Sequence, residues 1–331
     1  MIYYLTYAVL SVVIFVNGWT DAPNAIASCV GSRSMKPASA VLLAAACNLL
    51  GGVTVIFTGG SVAESVYSIA GFGEGRAGLT ALFAGLLSVA FWATLAWYFG
   101  IPTSESHALL AGISGAAVAS SGFAALNVNE WGRVAIGLVI STLPAFLLAQ
   151  ASFSLIAWLC RKRRREDVTS FFVGTQRLGA AASAYLHGLQ DGQKFMAIML
   201  LCRTLSGNMW AGGRIPITTA LLCSGLMAAG TALGGSRIIK KVALDMVSLD
   251  PPRGTAADIS SSLCLAFATA AGLPVSTTHA KTCAVMGAGS AKRRGGLDMR
   301  AVRDMFAAWG LTFPVCFALG YLAARAAGGI R

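Results

Sequence analysis

Uninterrupted apolar runs dominate the chain, and those at 37–57, 79–99, 134–158 and 302–326 reach or exceed the roughly 18 residues that a helix needs to cross a bilayer. Other runs carry a polar interruption. The first segment, 2–32, is long for one crossing, and Gly18 and Pro23 bracket its polar middle. The run 171–205 is predicted to cross with a break at Gln190 and Asp191, and 217–235 returns. The run 79–121 is interrupted at 102–107 and the run 259–290 at 274–279, so each is either a pair of crossings or a re-entrant hairpin with its motif near the tip. The Gly-rich stretch 59–78 reads as a loop on the outer side. The pattern predicts an all-α integral membrane protein.

The interruptions repeat. His187-Gly188-Leu189-Gln190-Asp191-Gly192-Gln193-Lys194 has a near-copy in Asn17-Gly18-Trp19-Thr20-Asp21-Ala22-Pro23-Asn24, the two acids lying 170 residues apart (191 − 21). Pro102-Thr103-Ser104-Glu105-Ser106-His107 is echoed by Pro274-Val275-Ser276-Thr277-Thr278-His279, the histidines 172 apart (279 − 107). Both halves carry the same marks in the same order, which predicts a duplicated architecture. The basic residues set its topology. Arg161 to Arg165, Arg237 to Lys241 and Lys292 to Arg294 fall between apolar runs and, by the positive-inside rule, face the cytoplasm. Residues 1–160 and 170–331 are then repeats of inverted topology with broken helices, joined by a cytoplasmic basic linker at 161–169, and both termini lie outside.

Composition agrees with a bilayer and excludes other classes. At 331 residues, with 56% hydrophobic and 11% charged side chains, the chain is too apolar and too thinly charged for a soluble enzyme. The net charge of +12 sits in inter-helix loops, so it reads as a topology signal and no nucleic-acid partner is expected. Residues 1–16 lack the basic flank and cleavage site of a secretory signal and are kept as structure. The eight cysteines show no CxxC spacing and read as packing thiols.

Ionised acids at mid-membrane depth normally face a polar cavity or a cation. Asp21 and Asp191, with oxygens from Thr20, Asn24, Gln190 and Gln193 beside them, form a candidate site for a hard monovalent cation; the plainer alternative pairs Asp191 with Lys194. The Pro-x-Ser-x-x-His segments suit an anion, because hydroxyls and unpaired amides gather at the positive end of a helix. Their plainer reading is an N-cap. His107, His187 and His279 all fall inside these motifs; each either locks a broken helix by bonding a backbone carbonyl or carries a proton. Zinc-type spacings are missing, and no nucleophile, base and orienter set marks a catalytic site.

On these residues the chain resembles the inorganic phosphate transporter (PiT) family of phosphate and sulfate permeases. The family's signatures Gly-Ala-Asn-Asp-x-x-Asn and His-Gly-x-Asn-Asp-x-Gln-Lys look like 18–24 and 187–194, and its Pro-x-Ser-Thr-Thr-His hairpins are similar to 102–107 and 274–279. Residues 233–240 and 249–254 resemble its link into the second hairpin. The resemblance implies cation-coupled symport of inorganic phosphate across the cytoplasmic membrane, with Na+ or H+ as the coupling ion and no cofactor. It places phosphate at Ser104, Ser106, Ser276, Thr277 and Thr278, and the cation at Asp21, Asn24, Asp191 and Gln193. Sulfate, or a metal–phosphate complex carried with protons, is the alternative cargo; an anion channel is the alternative class.

Departures from the family pattern are Thr20, Gln190 and Glu105. The first two alter cation ligands. Glu105 stands where a hairpin threonine is usual, beside the anion seat, where it accepts a hydrogen bond from the hydroxyl of hydrogen phosphate or carries the coupling proton; the plainer alternative turns it to an aqueous vestibule or an arginine. Small residues at 112–119 suit either a homodimer contact or packing within one chain.

Overall fold

The computed structural model describes residues 1–99, 103–234, 239, 247, 249–291 and 297–329. Among them the chain is helical almost throughout. In order the helices are α1 (Ile2–Thr20), α2 (Asn24–Gly31), α3 (Pro37–Thr58), α4 (Ser61–Tyr67), α5 (Gly75–Tyr98), α6 (Glu105–Ser121), α7 (Val128–Cys160), α8 (Arg165–Leu205), α9 (Ile217–Leu233), α10 (Pro251–Ala270), α11 (Thr277–Ser290) and α12 (Met299–Gly329). Five stretches, with α1 and α2 taken as one and joined by α3, α5, α7 and α12, are long and apolar enough to cross a membrane. Their outward faces expose Phe91, Ile136, Leu143, Leu147, Leu311 and Leu322, as a lipid solvent favours. The chain is therefore a multi-pass membrane protein.

Local chemistry sets where these helices stop. The α1–α2 segment breaks at Asp21-Ala22-Pro23, where the Asp21 and Ala22 amides both turn back to the Asn17 carbonyl and Pro23 has no amide to continue the ladder. Ser104 and Ser276 cap α6 and α11, their hydroxyls accepting from the amides of His107 and His279 at 3.3 and 3.1 Å. Asp250 caps α10 through the Arg253 amide, with Pro251 in the first turn.

Two expectations are corrected here. The 187–194 stretch is not broken: it lies inside α8, one helix of 41 residues. Gly188 is needed for approach rather than for a bend, since a Cβ there would sit 2.2 Å from the Asn48 carbonyl oxygen. Its counterpart Gly18 meets the Met227 carbonyl oxygen at 2.0 Å in the same way. Nor is 59–78 simply a loop. It contains α4, whose Val62, Ala63 and Val66 are fully buried. Pro102 and the basic clusters at 237–241 (Ile239 apart) and 292–294 lie outside the described residues.

Packing follows a paired pattern. Helix α3 packs on α8 and α9 on α1; α12 on α6 and α7 on α11; α12 on α5 and α7 on α10. Proline interrupts the donor ladder of α7 at Pro144 and of α12 at Pro314. Apolar side chains gather in two main clusters. One holds Leu10 and Ile14 of α1, Leu86 of α5, Leu109 and Ile113 of α6, and Met196 and Leu200 of α8. The other holds Ile26 of α2, Ala145 of α7, Ala180 and Ala184 of α8, Met286 of α11 and Met305 of α12. Going from α1 to α2 the chain passes from the first cluster to the second, and along α8 from the second to the first. On both paths the polar motif falls between them, at 17–24 and at 187–194. The stretch 112–118 is buried within the chain against α5 and α12, so its small residues serve internal packing.

Candidate functional site

Between the two clusters the α1–α2 break, the middle of α8 and the starts of α6 and α11 meet in one buried polar layer. Lys194 is its hub. Its ammonium donates at 2.5 Å to Asp191 Oδ1, to Ser106 Oγ of α6 and to the carbonyl of Val275 before α11. Asp191 takes Thr277 Oγ1 on Oδ2 at 3.2 Å and Ser106 Oγ on Oδ1 at 3.4 Å. Asp21 Oδ1 accepts from Asn24 Nδ2 at 2.9 Å and from the hydroxyl of Thr278, and Asn24 Nδ2 also reaches Thr278 Oγ1 at 3.1 Å. Each acid is thus bonded by a hydroxyl from the first turn of α11, and both helix starts direct their dipoles into the same layer.

The histidines play separate parts. His187 Nδ1 lies 2.9 Å from Asn48 Oδ1, while Asn48 Nδ2 donates to Thr231 Oγ1. The Asn48 oxygen therefore faces the ring, which assigns the proton to Nδ1. The other nitrogen, Nε2, is 3.3 Å from Asp191 Oδ2. In the neutral ring a lone pair meets a carboxylate there, a gap that suits a proton or a metal cation. One ligand atom each from Asp21, His187 and Asp191 lie within 4.8 Å of one another. His107 and His279 pack edge to face at 4.6 Å and rest on Phe313 and Trp309 of α12. Neither nitrogen of His279 has a hydrogen-bond partner among the described residues, so the expected bond to a backbone carbonyl is not made.

The side of the layer around Asp21 is rich in uncommitted oxygen. Asp21 Oδ2, Asn24 Oδ1, Asn17 Oδ1 and Glu105 Oε2 are buried without a hydrogen-bond partner among the described residues. The Glu105 amide is directed at the Asp21 carboxylate, and the Asn17 carboxamide faces the Glu105 carboxylate. Two acids and two carboxamide oxygens gathered here, with no ammonium bonded to Asp21, suit a hard cation.

The sequence-predicted residues divide accordingly. Asp21, Asn24, Asp191, Ser106, Thr277, Thr278, His187 and Lys194 converge. Ser104 and Ser276 are spent as caps. Thr20 Oγ1 bonds back to Val16, Gln190 bridges Thr269 and the Leu273 carbonyl, and Gln193 accepts from the Val62 amide of α4 while its own amide bonds the Leu189 carbonyl. Gln190 and Gln193 tie α8 to its neighbours, Thr20 bonds only within α1, and among the described residues none of the three bonds the acids. Asp191 already has its cation in Lys194, the plainer alternative read from the sequence. Asn17 and Asn48 were missed; Asn17 was findable, because it stands four residues before Asp21 on one helix face.

Comparison with known proteins identifies the family. A family model described as "Phosphate transporter family" matches residues 17–320. A Bacillus subtilis (strain 168) protein named "Probable low-affinity inorganic phosphate transporter" is 31% identical over 93% of this chain and 92% of its own length. A Rhizobium meliloti (strain 1021) protein of the same name is 33% identical over 94% and 92%. Among solved structures, one titled "The sodium-dependent phosphate transporter" superposes with a TM-score of 0.89 over the whole of both chains at 18% identity, a likeness of fold. The match runs from the α1 motif through α12 and so includes every residue of the polar layer: this chain belongs to the phosphate transporter family, a family of transporters and not of enzymes.

Proposed function

We propose that this protein carries inorganic phosphate across the cytoplasmic membrane together with a cation, by alternating access about the buried polar layer. The observation that carries the reading is the sharing of donors. Lys194, Ser106, Thr277 and Thr278 are the groups that would bind an oxyanion at two helix starts, and here they bond Asp21 and Asp191 instead. A tetrahedral phosphate entering between α6 and α11 draws those donors off the acids. The carboxylates are then left bare and bind a cation more tightly, so each ligand raises the affinity for the other. The opposite sense in which α1–α2 and α8 cross the two clusters supports inverted repeats, and the α5–α6 and α10–α11 pairs with motifs at their junctions support re-entrant hairpins.

The cation is Na+ or H+, held at Asp21 with Asn17, Asn24 and Glu105. Glu105 lies on this side of the layer, beside Asp21, so its part is in coupling rather than in recognising the phosphate hydroxyl. Counterflow of labelled phosphate in liposomes, with sodium and pH gradients imposed separately, tests the whole reading. Uptake driven by one of these gradients and competed by unlabelled phosphate is expected; accumulation of sulfate in preference, or conduction without counterflow, would end it. Glu105→Thr is expected to keep phosphate preference and change the cation dependence. A variant unchanged in both would remove Glu105 from the site.

A further inference from the structure

A second buried ion pair lies just off this layer and none of the roles above uses it. Asp258 of α10 accepts from Lys281 of α11, and its Oδ1 also takes Ser28 Oγ of α2 at 2.6 Å. Lys281 Nζ reaches Ser183 Oγ of α8 at 3.3 Å. All four residues are buried, and Asp258 Oδ2 has no hydrogen-bond partner among the described residues. A buried pair of this kind is weak evidence for stability, because its desolvation cost rivals its attraction. Its position suggests another use.

Lys281 stands four residues after Thr277, on the same face of α11. A buried cavity of about 10 Å³, room for one water, is lined by both of them together with Asn24, His187, Ser183 and Ser261. That cavity therefore joins the central layer to the ion pair. Further toward the start of α8, Gln176 Oε1 accepts from Ser32 and Ser34 at 2.6 Å and Arg177 bonds the Ser34 carbonyl, closing the way to the end that carries Arg161 to Arg165. An anion leaving Thr277 in this direction meets its first positive charge at Lys281.

We propose that Lys281 is a second phosphate position, occupied in transit between the central seat and the face bearing the 161–165 cluster. The ammonium and the hydroxyls of Ser183 and Ser261 take the oxyanion. In the structure Asp258 occupies the ammonium, and it must give way for the anion to pass. The ammonium exchanges one anionic partner for another, so its charge is balanced at both stages. The inference rests on phosphate as the cargo, and the test separates the two.

The double variant Lys281→Met/Asp258→Asn removes both charges and avoids leaving one unpaired in the interior. It is expected to bind labelled inorganic phosphate in detergent within about twofold of the parent, yet to take it up into liposomes about tenfold more slowly or worse, having lost a charge-assisted contact on the path. Lys281→Arg, which keeps the charge, is expected to retain most of the uptake. Uptake by the double variant at the parent rate would show the pair to be a structural tie and overturn the proposal. A parent protein that carries no phosphate would instead overturn the function on which it rests.

A measurement on the unaltered protein decides the matter even if the double variant does not fold. Cys29, next to Ser28 and within electrostatic reach of Asp258 and Lys281, is fully buried. Opening of this passage during turnover should expose it to a hydrophilic maleimide added from the 161–165 side. Peptide mapping should then show Cys29 labelling rising severalfold with phosphate. Phosphate movement with Cys29 labelling unchanged would place the route elsewhere.

Discussion

In the mechanism proposed above, the Lys194 ammonium serves two anions in turn, Asp191 and the phosphate. It sits one turn after Asp191 and its three donors are all used, on a carboxylate, a hydroxyl and a carbonyl. Removing one member of a buried pair leaves the other charge uncompensated in low dielectric, at a cost of about 3–5 kcal/mol. Lys194→Met is therefore expected to lower the unfolding temperature in detergent sharply, and Asp191→Asn/Lys194→Met to recover most of the loss. Neither should take up phosphate, because both lack the ammonium. A single variant as stable as the parent would mean that the Asp191 charge is already neutralised by another group, His187 Nε2 being the nearest candidate at 3.3 Å. Asp21 has the opposite arrangement. Three residues after it stands Asn24 where Lys194 follows Asp191, so the first motif offers an open oxygen site and the second a filled one.

Helix α8 shows what the pattern of residues conveyed and what it did not. The apolar runs marked most of the crossings, and the duplicated motifs marked both acids, Lys194, the helix starts and the hydroxyls that meet in the layer. A glycine beside a buried acid, however, reads the same whether the backbone bends there or another backbone presses against it. In the first motif Pro23 removes an amide and the helix does break; in the second there is no proline, and both glycines stay helical. Only the fold reveals that Gly188 faces the Asn48 backbone, since its neighbour is 140 residues away (188 − 48). For the same reason Asp258 and Lys281 escaped notice: each looks like an isolated charge until α10 and α11 are brought together. The distinction can be measured. Gly188→Ala forces a methyl into backbone and is expected to destabilise by about 1–3 kcal/mol, whereas Gly192→Ala, with its nearest neighbour at 3.4 Å, should be neutral or gain up to about 1 kcal/mol of helix propensity. Equal losses at both sites in thermal unfolding would indicate that the stretch needs flexible glycines after all.

The halves of the sequence carry the same motifs but are not separate bodies in space. Helix α7 belongs to the first half and packs on α10 and α11 of the second; α12 belongs to the second and packs on α5 and α6 of the first. Each of these outer groups takes two helices from one half and one from the other, around a centre of α1, α3, α8 and α9. The alternating access proposed above would therefore be more easily made by these mixed groups than by 1–160 against 170–331, since the latter would have to tear α7 and α12 from their partners. It follows that neither half can bury its own apolar surface alone. Residues 1–160 and 166–331 expressed separately are expected to yield no folded protein, because α6 would lack α12 and α11 would lack α7. Co-expressed, they should reassemble and restore phosphate uptake, since the cut falls at Arg161 to Arg165, where Arg161 to Arg164 are exposed and form no part of any helix. The decisive comparison is size-exclusion chromatography and labelled uptake for each half and for the pair. A single half that elutes as a monodisperse, phosphate-binding species would show that the repeats are independent folding units and that the exchange of α7 and α12 is not what holds the transporter together.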